Sequence, residues 1–333
     1  MFGRNEIRRS FRIESEIGSG GGGAVYKAWH KRMQKYVVVK EHKLDLKSDA
    51  EMRRNELEAL KNMKCAYLPM VFDYVAVGKR SFTVMEYIEG ESFDKLLKRG
   101  KKSTQSQLIK WYGQLASALE SLHRQDVCHR DIKPSNIMLT AGGDVCLIDF
   151  NAALVRGEKT CFASRSLGYA SPEQYDLYER LESSRIAPVM RRFYSAGICP
   201  RYRVDAYQAD PGGPSCLTDY NSRVQEAVTE YADDLIPRLN TMPANYGIDW
   251  KSSDIFSLGA TMCHLLTGIH PPKRPVGNMI ISEYGDYDKG IIYIIEKSMQ
   301  YRPSDRFKSA AVLVDIIRQV KEHNSANSII TVG

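Results

Sequence analysis

Residues 129–136 read His129-Arg130-Asp131-Ile132-Lys133-Pro134-Ser135-Asn136, and thirteen residues after Asn136, across a hairpin pattern, comes Ile148-Asp149-Phe150. The octet places a carboxylate, an ammonium and an amide at short spacing. Asp131 can accept a hydroxyl proton or orient the hydroxyl, Lys133 can neutralise a group in transfer, and Asn136 can bind a metal ion. His129 reads as a packing residue rather than a base. A lone Asp at a strand end is commonly a turn former. The position of Asp149 across the hairpin from Asn136 favours chelation instead, because magnesium takes a few carboxylates plus phosphate oxygens rather than a full protein cage.

Upstream of the octet, FRIESEIG, AVYKAWH and KYVVVKEH read as strands separated by glycine or turn signals. Between the first two lies Gly18-Ser19-Gly20-Gly21-Gly22-Gly23-Ala24-Val25, where missing Cβ atoms let a hairpin lie close over phosphates. A dinucleotide fold needs a helix after such a run, and a strand follows here. Lys40 ends the third strand. Ser48 to Lys64 carries Leu57, Leu60 and Met63 at helical spacing, and Glu56 on that face is the expected partner of Lys40. MVFDYVAV and RSFTVMEYI are two further strands.

From Ser92, a candidate N-cap with Gly100 as stop, the pattern turns helical. Leu108, Leu115, Leu119 and Leu122 form one stripe with Trp111 alongside. Later come SSDIFSLGATMCHLLTG closed by Gly268, then GIIYIIEKSM and FKSAAVLVDIIRQV. A β-rich half followed by a larger helical half is an α+β arrangement with a cleft between. Net charge is +7, yet no dense Lys/Arg run with interleaved aromatics appears, so nucleic-acid binding is not expected. Seven scattered cysteines without metal spacing, and a start that lacks an apolar leader, predict reduced thiols in the cytoplasm. No stretch is apolar for long enough to span a bilayer.

Taken in order, these motifs resemble the eukaryotic-like protein kinase superfamily, in its Ser/Thr branch, over roughly residues 10–175 and 249–320. The resemblance implies a bilobal kinase fold, with a β-rich N-lobe carrying one main helix and a helical C-lobe. It implies ATP and Mg2+ as cofactors and a protein substrate. Asp131, Lys133, Lys40 and Glu56 become the catalytic residues, and Asn136 and Asp149 the metal ligands. Gly18, Gly20, Gly23, Val25, Val38, Lys40, Met85, Glu86, Tyr87 and Met138 become the nucleotide site, with Met85 as gatekeeper and Glu86-Tyr87 as hinge. Leu60, Val71, His129 and Phe150 match a stacked spine. Ser171-Pro172-Glu173 matches the motif closing the activation segment, Arg306 the partner of its Glu173, and Asp254 the acid opening the central C-lobe helix. Arg130 is the expected receiver of a phosphate on Thr160 or Ser164, while Ser166 falls beside Asp131.

Four departures from the pattern stand out. Asn151 replaces the Gly after Asp-Phe, Val38 replaces the usual Ala, and Ser135 stands where kinases of basic substrates often have Glu. The fourth is an insertion. Residues 175–247 hold eight Tyr, eight Arg and no Lys, with Val224, Val228, Tyr231 and Leu235 at helical spacing. Composition leaves open whether it packs as a helical elaboration or docks a protein partner. The expected layout is 1–10 extension, 11–86 N-lobe, 87–175 first C-lobe part, 176–247 helical insertion, 248–322 second C-lobe part and 323–333 tail. A pseudokinase or scaffold is the alternative function.

Overall fold

The computed structural model describes residues 9–20, 23–43, 60–61, 63–77, 80–101, 103–150, 152–155, 165–180, 247–275, 280–281, 285 and 287–330. The chain divides into two units, Met1–Glu158 with Ser164–Gln174 and Asp249–Gly333, and Lys159–Ala163 with Tyr175–Ile248.

In the first unit, strands β1 (Phe11–Gly20), β2 (Gly23–His30), β3 (Lys35–Lys43), β4 (Val71–Val77) and β5 (Arg80–Glu86) form an antiparallel sheet in the order β1-β2-β3-β5-β4. Alternation sorts its faces. Phe11, Ala28, Val37, Val39, Phe82 and Val84 are buried together on one side. Val25, Val38, Lys40 and Met85 fall on the other. The expected helix over Ser48–Lys64 is helical at Leu60 and Lys61 but has ended by Met63; residues 48–59 lie outside the described set.

After β6 (Gly90–Ser92) comes α1 (Phe93–Lys98). Ser92 sits at its N-cap position as expected but makes no side-chain cap bond, while Gly100 ends the turn with φ 66. The longer α2 (Gln105–Arg124) starts with a reciprocal Thr104/Gln107 capping box, which the T-x-x-Q spacing encodes. Its stripe of Leu108, Trp111, Leu115, Leu119 and Leu122 enters the main core. Short strands β7 (Val127–Cys128), β8 (Ile137–Thr140), β9 (Val145–Leu147) and β10 (Leu154–Val155) follow, β6 pairing β8 and β7 pairing β10.

Helix α3 (Trp250–Thr267) is buried nearly all round, is capped by Asp249 and stops at left-handed Gly268. Helix α4 (Lys289–Ser298) and the long α5 (Ala310–Ile330) complete the layer. A β-sheet lobe is thus joined to a helical lobe, the bilobal α+β arrangement expected from the sequence. Among the described residues no helix is long and apolar enough to cross a membrane.

Candidate active site

Two elements of the helical lobe present the octet. A 3-10 turn (Pro134–Asn136) follows β7 and ends in β8. It is pinned where Asn136 N donates to Lys133 O at 2.9 Å and Ile148 N donates to Asn136 O at 2.8 Å. Side chains then converge on one carboxylate. Lys133 Nζ donates to Asp131 Oδ1 at 3.1 Å and to Oδ2 at 2.8 Å. Ser166 Oγ donates to Oδ1 at 2.6 Å, and Asn136 Nδ2 to Oδ2 at 3.1 Å and to the Asp131 carbonyl at 2.8 Å. Lys133 Nζ also reaches Ser166 Oγ at 3.0 Å. Asp131, Lys133, Asn136 and Ser166 are therefore one hydrogen-bonded cluster.

Beneath that cluster lies Asp254, fully buried on α3. Its carboxylate accepts from His129 N at 2.8 Å, Arg130 N at 2.7 Å and His123 Nε2 at 3.0 Å. A buried carboxylate is tolerable only with such partners. They also hold Arg130 at φ 66, a left-handed conformation that costs a non-glycine residue about 1–2 kcal/mol. Cys128 sits beside this group, and its thiol is pushed up by burial first and then by the Asp254 charge. His129 packs as expected: its ring lies 5.4 Å from that of Phe150 and its Nε2 donates to Ile148 O. That tautomer leaves Nδ1 to accept from Asp131 N at 3.4 Å.

Asp149 also has positive φ, 70. Its Oδ1 takes an ion pair from Lys40 Nζ, which is buried on β3. The expected partner of Lys40, Glu56, lies outside the described residues, as do Asn151, Thr160 and Ser164. The nucleotide-site candidates fall in register on the sheet. Gly18 pairs with Val25, Gly20 with Gly23, Val25 with Lys40, and Val38 with Met85. Glu86 N donates to Met70 O, and Glu86 Oε2 takes Met70 N, which fixes the segment leading to Tyr87. Met138 pairs with Ser92 and Cys146 in the second sheet.

Several neighbours escaped the sequence reading. Lys27 Nζ sits 4.3 Å from the Tyr36 ring centre and 4.4 Å from that of Tyr87. Gln174 Nε2 donates to Arg130 O at 2.7 Å, and the Arg130 guanidinium lies 4.2 Å over the Trp250 ring. Tyr169 meets His264 Nδ1 at 2.6 Å, with His270 close to both rings. Burial, with His270 adding repulsion and Asp94 opposing, pulls His264 down to about 4. The Gln174, Trp250 and Tyr169 contacts have no local spacing signal, since each joins segments far apart in the chain. The expected Arg306–Glu173 pair is present and bidentate, at 2.6 and 2.9 Å.

The family model described as protein kinase domain matches residues 11–185. A probable serine/threonine-protein kinase of Clostridium acetobutylicum is 34% identical over 175 residues, covering 50% of this chain and 27% of that protein. The serine/threonine-protein kinase PknA of Corynebacterium glutamicum is 32% identical over 204 residues, 58% of this chain and 42% of its own. The maternal embryonic leucine zipper kinase of Danio rerio is 30% identical over 177 residues, 51% and 26% respectively. The chain thus spans between about a quarter and two fifths of the length of these relatives.

Proposed function

The chain belongs to the protein kinase domain family, and from that premise we propose that it transfers the γ-phosphoryl group of ATP to serine or threonine hydroxyls of proteins. The observation that carries this reading is the convergence of Lys133, Asn136 and Ser166 on Asp131. The substrate hydroxyl takes a place beside Asp131 Oδ1. Its oxygen bonds to the γ-phosphorus while the bond from that phosphorus to the β,γ-bridging oxygen breaks. ADP leaves with the electron pair, and the hydroxyl proton passes to Asp131. Lys133 offsets charge on the group in transfer, and Lys40 offsets charge on the α- and β-phosphates.

The donor chemistry fits magnesium. Asn136 spends its amide nitrogen on Asp131, so its amide oxygen, which also accepts from Ser135 Oγ at 3.4 Å, is the atom that would be offered to a cation. Asp149 adds a carboxylate, and hard oxygen ligands are what magnesium prefers. When bound there, the ion neutralises phosphate charge. Val25, Val38, Met85, Glu86, Tyr87 and Met138 form the adenine slot, and Gly18, Gly20 and Gly23 the cover over the phosphates. Activation-segment autophosphorylation at Thr160 or Ser164, read by Arg130, belongs to the same proposal.

Asp131→Asn tests it. Magnesium-dependent phosphate transfer to a protein substrate is expected to fall by roughly a thousand-fold or more with an unchanged melting temperature. Near-normal turnover in that variant sinks the role given to Asp131. The Lys40–Asp149 ion pair favours one second reading, a scaffold that keeps this pair closed and only binds partners. Absence of magnesium-dependent turnover in the unaltered protein would select it.

A further inference from the structure

Arg130 is gripped from two directions by residues that no catalytic role explains. Its carbonyl accepts from Gln174 Nε2 at 2.7 Å. Its guanidinium carbon lies 4.2 Å from the Trp250 ring centre. Gln174 is 1% exposed and Trp250 4%, so neither contact is a surface accident. Gln174 is itself fixed, its N donating to Ser171 Oγ and its Oε1 taking Ser253 Oγ. The buried Trp250 Nε1 has no hydrogen-bond partner among the described residues. What the indole contributes is therefore its face, and a desolvated guanidinium is the group an aromatic face holds best.

These two residues also mark a place in the chain. Gln174 is the last residue of the first unit before Tyr175–Ile248, and Trp250 is the second residue after it. Both roots of that segment thus close on one residue, which directly precedes Asp131. The Arg130 carbonyl and the Asp131 N–H belong to a single planar peptide. A bond that fixes the carbonyl therefore fixes the plane that leads into Asp131. The plane needs fixing, because Arg130 is held at φ 66, a conformation its side chain disfavours.

We propose that Gln174 and Trp250 are positioning residues for the transfer step. They orient Asp131 through Arg130. The proposal rests on the reading of Asp131 as the group beside the substrate hydroxyl. It predicts a kinetic signature that ordinary core packing does not produce.

The test measures kcat, KM for ATP and melting temperature in the whole chain. Trp250→Leu and Gln174→Leu are expected to lower kcat by roughly ten- to a hundred-fold, the scale of a small misplacement at a reacting group. KM for ATP should stay within about two-fold, because only the transfer step is touched. Trp250→Phe, which keeps an aromatic face, should restore most of kcat. If Trp250→Leu does not fold, Gln174→Leu decides alone. Folded leucine variants with unaltered kcat overturn the proposal, as does a loss in Trp250→Leu that Trp250→Phe does not repair. An unaltered protein without turnover overturns the kinase reading itself and this proposal with it.

Discussion

A single arginine shows how much chemistry one residue can settle. Arg306 has a fully buried side chain, forms the two-point ion pair with Glu173, and donates to the carbonyls of Ser252, Gln300 and Tyr301. Its guanidinium also lies 5.0 Å from the Phe256 ring centre. Removing one partner from such a group strands the other without water. Arg306→Met should therefore cost about 3–5 kcal/mol, measured by urea unfolding. A loss below about 1 kcal/mol would place the pair among solvated surface bridges. This pair was legible in the sequence because both members sit in short fixed motifs. The same holds for Asp131, Lys133 and Asn136, where the octet is nearly a map of the hydrogen-bonded cluster. Trp250 and Gln174 were not legible. A tryptophan at a helix start and a glutamine after Ser-Pro-Glu carry no spacing that points to Arg130, and only the fold brings them to it. The partner of Lys40 illustrates a different limit: helical phase points to Glu56, which lies outside the described residues, but cannot show that Asp149 reaches the ammonium.

Periodicity served best for helices and strands with one buried face. The five strands of the main sheet and the α2 stripe follow directly from alternation and 3.6-residue spacing. Helix α3 is a harder case, since burial nearly all round leaves no polar face to read. Its end was still marked by Gly268, which has φ 72. Inside α3, Gly259 looks like a helix weakness in the sequence, yet the structure gives it a purpose. A Cβ there would meet Ser298 Cβ at 2.7 Å and Met299 Cγ at 3.0 Å, at the end of α4. Gly259→Ala gains about 1 kcal/mol of helix propensity and loses more to overpacking, about 1–3 kcal/mol. The net effect should be a melting temperature lower by roughly 2–4 °C, the response of a domain this size to about 1 kcal/mol. An alanine variant that melts higher would show that α3 and α4 can move apart freely. The bland prior for a glycine in a helix is mere tolerance; the contact with α4 is what reverses the sign.

At the scale of the molecule, the division of labour follows the chain. Every residue assigned to the nucleotide, from Gly18 to Met138, precedes Glu158 in the first unit, whereas Tyr175–Ile248 belongs to the second. Local motifs end at Glu173 and resume at Asp254, and over residues 175–247 only composition speaks. Eight tyrosines, eight arginines and no lysine describe a contact-making surface or a packed elaboration equally well. The helical repeat expected at Val224, Val228, Tyr231 and Leu235 lies outside the described residues. Function separates the two readings where pattern does not. Replacing 176–247 by a short linker should leave KM for ATP within about two-fold, because no nucleotide-binding residue is removed. Phosphorylation of a protein substrate, or capture of a partner, should fall instead, since the segment begins directly after the Ser-Pro-Glu motif that borders Ser166 and Asp131. Melting of the shortened chain must be followed in parallel, as lost core packing would lower both activities together. A folded, shortened protein whose KM for ATP rises ten-fold or more would place the segment in nucleotide binding. One that phosphorylates its protein substrate at the original rate would reduce the segment to an elaboration.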